Sequence, residues 1–138
     1  MKSFILFISL IISAGAKSQE VTWKIRLNGK TILNTSTEDE QKNSFRITSK
    51  EWKKPGKLEI FFNEIDKNTW IRSVFFNDET DNQLLTLDSV SKVSIPLQTL
   101  RKLFKNKKQV TIYSVIRPVN PDIAIRIRRL HLCTLRLP

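Results

Sequence analysis

The sequence predicts an all-β chain: an antiparallel β-sandwich, Ig-like or jelly-roll-like, with one short helix before the last two strands. Three observations predict it. About eight short runs alternate apolar and polar residues at a period of two. Turn signals separate them, among them Asn28-Gly29 and Lys54-Pro55-Gly56. One run alone, residues 96–105, changes to a helical period. Many short strands with a single helix are the pattern of packed sheets.

Residues 1–18 (MKSFILFISLIISAGAKS) place Lys2 before an apolar run and small residues after it, which is the order of a secretory signal peptide. The apolar run, residues 4–12, is far short of the roughly 18–20 residues that span a bilayer. The expectation is cleavage after Ala16 or Ser18, leaving a single exported domain, residues 19–138, periplasmic or extracellular and without a transmembrane segment. The alternative is an uncleaved N-terminal helix.

Residues 21–27 (VTWKIRL) alternate as a half-buried strand does, and Asn28-Gly29 supplies the positive-φ pair of a type I′ turn. Residues 30–34 are therefore its hairpin partner. Residues 38–40 (EDE) form an acidic loop, residues 44–48 (SFRIT) a short strand, and residues 53–57 (KKPGK) a turn. The next inward set is Leu58, Ile60 and Phe62. Residues 70–76 (WIRSVFF) are apolar in both phases, which predicts a strand inside a sheet. Residues 77–82 (NDETDN) turn it back into residues 83–87, and residues 92–95 form a strand that stops at Pro96. Leu97, Leu100, Leu103 and Phe104 share one helical face, with Arg101, Lys102 and Lys105 outside it. Residues 110–116 alternate again.

The longest patterned stretch is residues 121–137 (PDIAIRIRRLHLCTLRL). Ile123, Ile125, Ile127, Cys133, Leu135 and Leu137 keep one phase, whereas Leu130 and Leu132 fall on the other. Either a bulge shifts the phase near Arg128 and Arg129, or one strand continues in phase, covered on both faces, and bends to serve two sheets.

Charge is the most informative feature. The chain carries 24 Lys and Arg against 13 Asp and Glu. The excess outside the predicted signal peptide falls entirely on residues 101–138, where Asp122 is the single acid among ten cations. An anionic partner is expected there. The candidate binding residues are Arg126, Arg128, Arg129 and Arg136 on the last run, with Arg101, Lys102, Lys105, Lys107 and Lys108 near the helix end; the alternative is a solvated basic surface. Trp52, set among lysines in KEWKKPGK, either stacks on a sugar ring or lies against a membrane interface, or else caps the core.

Other chemistry is sparse. His131 and Cys133 are the one histidine and the one cysteine. Two residues apart on one strand, they lie beyond hydrogen-bond reach, and Cys133 reads as a buried, inert thiol. Asp78, Glu79, Asp81 and Asn82 offer oxygen ligands but lack EF-hand spacing, so a solvated turn explains them equally well. Glu59, Glu64 and Asp66 are carboxylates without a distinguishing pattern. No catalytic residue, metal or cofactor is predicted. Phe61, Ile71 and Phe75 form either a partner patch or a layer covered by the helix.

Three functions fit these residues. The first is an exported non-enzymatic module binding an anionic glycan, lipopolysaccharide or acidic protein through its C-terminal basic surface, with nucleic acid an improbable physiological partner of an exported chain. The second is a structural or assembly subunit of the cell envelope acting by protein contact. The third is a carboxylate hydrolase.

Overall fold

The computed structural model describes residues 21–63 and 65–138; the predicted signal peptide lies outside them. In chain order come β1 (Trp23–Leu27), β2 (Lys30–Thr35), β3 (Ser44–Arg46), α1 (Ser49–Lys53), β4 (Lys57–Phe62) and β5 (Trp70–Asn77). There follow β6 (Gln83–Leu87), β7 (Lys92–Pro96), α2 (Leu97–Leu103), β8 (Gln109–Pro118) and β9 (Arg129–Arg136). One sheet has the order β2-β1-β4-β7 and the other β3-β9-β8-β5-β6. Pairing is antiparallel except where β3 runs parallel to β9. No hairpin joins those two strands, so a parallel pairing is open to them.

The inner faces of both sheets contribute to one core. Trp23, Ile25, Leu27, Leu58 and Ile60 of the first sheet join Val74, Phe76, Val110, Ile112 and Leu135 of the second. The Trp23 indole Nε1–H donates to the Leu132 carbonyl at 3.0 Å, a buried tie between the sheets. Asn28 (φ 53°) and Gly29 (φ 80°) make the left-handed turn that joins β1 to β2. β5 lies between β8 and β6, the interior position its two apolar phases imply.

Leu97, Leu100 and Phe104 of the predicted helical run are buried, and Leu103 is exposed. A second helix, α1, occupies residues that read as the approach to a turn. Its N-cap is Thr48, whose Oγ1 accepts the Glu51 N–H at 3.2 Å, so Thr48-Ser49-Lys50-Glu51 carries the start signal. The helices are tied by Arg101, whose Nη1 donates to the carbonyls of Trp52 (2.6 Å) and Lys54 (3.2 Å). Arg101→Met removes charge-assisted bonds to two helix-end carbonyls. The expected loss is about 1–2 kcal/mol, read as a fall of about 4–8 °C in the melting midpoint.

The last run differs from its expected form. The strand is confined to β9, and the isoleucines preceding it are exposed, at 45% for Ile123, 45% for Ile125 and 53% for Ile127. The bulge alternative holds, but at Leu132. Tyr113 pairs with His131 while Ile112 pairs with Cys133, leaving Leu132 as the extra residue. The phase therefore shifts inside β9, and His131 and Cys133 lie on opposite sheet faces rather than sharing one.

Phe61, Ile71 and Phe75 do not form one patch. Phe61 sits on the outer face of the four-stranded sheet between the ammonium groups of Lys24 (5.4 Å) and Lys92 (5.8 Å). Ile71 and Phe75 lie on the outer face of the five-stranded sheet, in register with Arg117 and Tyr113. The apolar face of α2 enters the core instead of covering them. Among the described residues, no helix is long and apolar enough to cross a membrane.

Candidate functional site

One end of the fold gathers cations. Arg46 of β3 is in register with Arg136 of β9, which is in turn opposite Gln109 at the start of β8. The Ile47 N–H donates to the Arg136 carbonyl (2.9 Å) and the Leu137 N–H to the Lys108 carbonyl (2.8 Å), so these strand ends are fixed together. Helix α1 starts just beyond Ile47 and adds Lys50, Lys53 and, after its last turn, Lys54. Lys102 and Lys105 come from α2 and the turn after it. Among the described residues none of these cations forms an ion pair. A depression of about 690 Å³ is lined by Arg46, Lys108 and Arg136 together with Glu79, whose carboxylate accepts the backbone N–H groups of Lys108 and Gln109.

The predicted binding residues divide between this end and another place. Lys102 and Lys105 belong to the basic end. Arg101 is half-buried there in a structural role. Trp52 stacks nearly parallel on Phe104, with ring centroids 6.4 Å apart, and packs against the core as a cap. Arg126, Arg128 and Arg129 lie elsewhere. Arg129 is in register with Val115, six residues along β8 from Gln109, or about 20 Å at 3.3 Å per residue.

Two of those three arginines are already engaged. Arg128 pairs with Glu38 at 2.9 Å, and Arg129 Nη1 donates to both Asp81 carboxylate oxygens at 2.9 and 3.0 Å. The Arg129 guanidinium also lies 4.0 Å above the Tyr113 ring. Arg126 is exposed in the connection to β9.

Sequence reasoning missed Arg46, Lys50, Lys53 and Lys54 because the chain before Arg101 is neutral in sum. Its acids and bases are nevertheless sorted in space. The Thr48-x-x-Glu51 start of α1 was the available signal, since it turns a basic loop into a helix presenting its lysines.

The acidic turn between β5 and β6 is neither an open calcium cradle nor a merely solvated turn. Asp78 accepts from Lys107 Nζ (2.9 Å) and from the Thr80 and Asn82 N–H groups, while Glu79 accepts the N–H groups of Lys108 (2.7 Å) and Gln109 (2.8 Å). The turn thus pins the entry to β8. These bonds, led by the one from Lys107, hold the Asp78 carboxyl well below the usual carboxylate range.

An unfolded aspartate titrates near about 3.9. Stability from the lowered folded value is therefore complete above that range and is lost as the pH falls through the folded value. Asp78→Asn is expected to melt below the wild type at pH 7 and to show a smaller further fall between pH 7 and pH 3. Parallel melting curves check this.

The outer face of the five-stranded sheet holds a polar depression of about 570 Å³ lined by Tyr113, Arg129, His131 and Thr134. His131 Nε2 lies 2.8 Å from Thr134 Oγ1, and burial lowers the imidazole pKa, favouring its neutral form. Cys133 is buried on the other face, and burial pushes its thiol up to about 12. Asp66 accepts from the Asn68 N–H and the Thr69 hydroxyl, Glu59 lies beside Lys57 on the four-stranded sheet, and Glu64 is outside the described residues. No group of three or more His, Cys, Asp or Glu among the described residues is placed to hold a metal ion.

No family model, curated protein or solved structure matches the chain. The fold and the site define its class directly: a mostly β chain of two sheets on one core, with a basic end built from both helices and three strand ends.

Proposed function

We propose that the chain is an exported, non-enzymatic β-sandwich, Ig-like or jelly-roll-like, that binds an anionic glycan, a lipopolysaccharide headgroup or an acidic protein through its basic end. One observation carries the reading. Arg46 and Arg136 stand side by side in register on neighbouring strands, among lysines, and neither forms an ion pair among the described residues. Like charges facing each other across strands destabilise a sheet, and an anion bridging the two guanidinium groups relieves that repulsion. Guanidinium groups on fixed backbone suit two-point recognition of carboxylate, sulfate or phosphate. The surrounding lysines raise the local potential and steer a polyanion in.

The test is titration of the purified exported protein with anionic and neutral glycans and with lipopolysaccharide, at low and physiological salt. Discriminating binding that survives physiological salt is expected. Binding that vanishes with salt, or treats all polyanions alike, overturns the reading and leaves the charge a surface property.

The second reading, an assembly subunit of the cell envelope, is favoured by a different observation. Ile123, Ile125 and Ile127 are exposed on a segment that lies outside the strands and has no partner strand among the described residues. Such a segment suits strand addition by another chain. It requires self-association or co-purification that salt does not disrupt; a monomer with no co-purifying protein counts against it.

A further inference from the structure

The opposite end of the fold holds a cleft of about 770 Å³, lined by Phe62 at the end of β4, Trp70, Ile71 and Arg72 at the start of β5, Val90 between β6 and β7, and Val119 after β8. It lies nine residues of β8 away from the basic end, because Trp70 pairs with Pro118 while Arg136 pairs with Gln109. Its volume falls within the range of small-molecule sites, about 300–1,000 Å³. Its lining mixes these apolar side chains with Asn63, Lys67, Ser89 and Ser91, and Arg72 adds a buried cation.

Arg72 is only 2% exposed. Its guanidinium carbon sits 3.9 Å above the Phe62 ring, and among the described residues its Nε and Nη2 atoms are buried without a hydrogen-bond partner. In any arginine the N–H bonds of Nε and Nη2 point the same way along one edge, the edge that grips a carboxylate at two points. Burial draws its pKa down to about 10, which leaves it charged at neutral pH. The neighbouring Asp88 does not neutralise it: its carboxylate accepts from the Ser73 hydroxyl, the Ser89 N–H and Arg117. A buried cation with an empty two-point edge is costly, and such an orphan calls for a counterion.

We propose that this cleft binds an apolar monocarboxylate, a short fatty or aromatic acid, with its carboxylate on the Nε and Nη2 edge of Arg72 and its hydrocarbon body against Phe62, Trp70 and Val119. Both nitrogens are shielded from water, so the lining must yield on entry. The part that yields is the connection of residues 89–91, which is exposed or half-buried and contains Ser89 in the left-handed region (φ 54°). The site is independent of the basic end and recognises a single charge on an apolar body rather than a polyanion.

The test uses the isotope-labelled full chain, octanoate as probe, and octanol and inorganic phosphate as controls. Octanoate is expected to shift the Arg72 Nε–H resonance and the Ile71, Val90 and Val119 amides saturably. Octanol and phosphate should bind at least about tenfold more weakly, each lacking one half of the recognition. Arg72→Met should abolish these shifts while keeping wild-type stability or exceeding it, because an unpaired buried charge is removed. Arg72→Lys keeps a charge without the fork and should bind octanoate about tenfold more weakly.

No shift at millimolar octanoate, shifts that persist in Arg72→Met, or equal responses to octanoate and octanol each overturn the proposal. Should Arg72→Met fail to fold, Arg72→Lys decides: octanoate affinity equal to wild type overturns the two-point contact. Destabilisation of Arg72→Met together with a silent wild type marks Arg72 as a packing residue on Phe62 and also overturns it.

Discussion

Replacing Lys102, Lys105 and Arg136 together by glutamate is expected to lower affinity for an anionic glycan at physiological salt by about a hundredfold. The arithmetic is electrostatic. An exposed ion pair contributes at most about 1 kcal/mol, so three of them contribute up to about 3 kcal/mol, and 1.4 kcal/mol is a factor of ten. Reversal adds repulsion and pushes the loss toward the top of that range. All three side chains are exposed, so the fold is expected to survive, with an unchanged melting midpoint as the control.

The double variant Arg126→Ser with Arg128→Ser is the spatial comparison. Those arginines lie away from the basic end, and Arg128 already faces Glu38. A smaller loss than in the triple variant is expected. If the double variant loses as much, the anion spans both places or sits on the β9 approach, and the assignment to the basic end fails.

Trp23→Ala is expected to cost about 3–5 kcal/mol, the range for removing a large buried aromatic. Trp23 is only 1% exposed, and its Nε1–H satisfies the Leu132 carbonyl at the β9 bulge. Domains of this size are stable by only about 5–15 kcal/mol, so much of the folding free energy is removed. Trp23→Phe separates the two contributions. It keeps most of the apolar volume and orphans the carbonyl, at a cost of about 1–3 kcal/mol. Urea denaturation of the three proteins measures both steps. A Trp23→Phe midpoint equal to wild type would show that the carbonyl finds another donor.

Much of the local structure was legible from residues alone. The alternation in residues 21–27 marks Trp23, Ile25 and Leu27 as the inward set because side chains on a strand point to opposite faces in turn. Asn28-Gly29 specifies a turn because both positions take positive φ. The spacing of Leu97, Leu100 and Phe104 specifies a helix with one buried face. Each of these depends on residues close in sequence.

What failed to show depended on distant ones. Ile123, Ile125 and Ile127 have the right period for a strand, but a period names a face and not a neighbour, and no strand pairs with them among the described residues. The bulge at Leu132 arises from its register against Ile112 and Tyr113, which alternation within residues 121–137 does not contain. Arg72 shares the inward phase of Val74 and Phe76, so its position on a core face was implicit; its lack of a hydrogen-bonded counterion among the described residues was not.

The sequence by itself determined most of the strands and their inward faces, one turn, one helix and the excess of positive charge. Only the tertiary structure decided where that charge sits. Lys107 is drawn to Asp78, Arg128 to Glu38 and Arg129 to Asp81, while Arg46 from the neutral half of the chain stands beside Arg136. The physical reason is that electrostatic energy depends on separation in space, whereas composition sums charge along the chain.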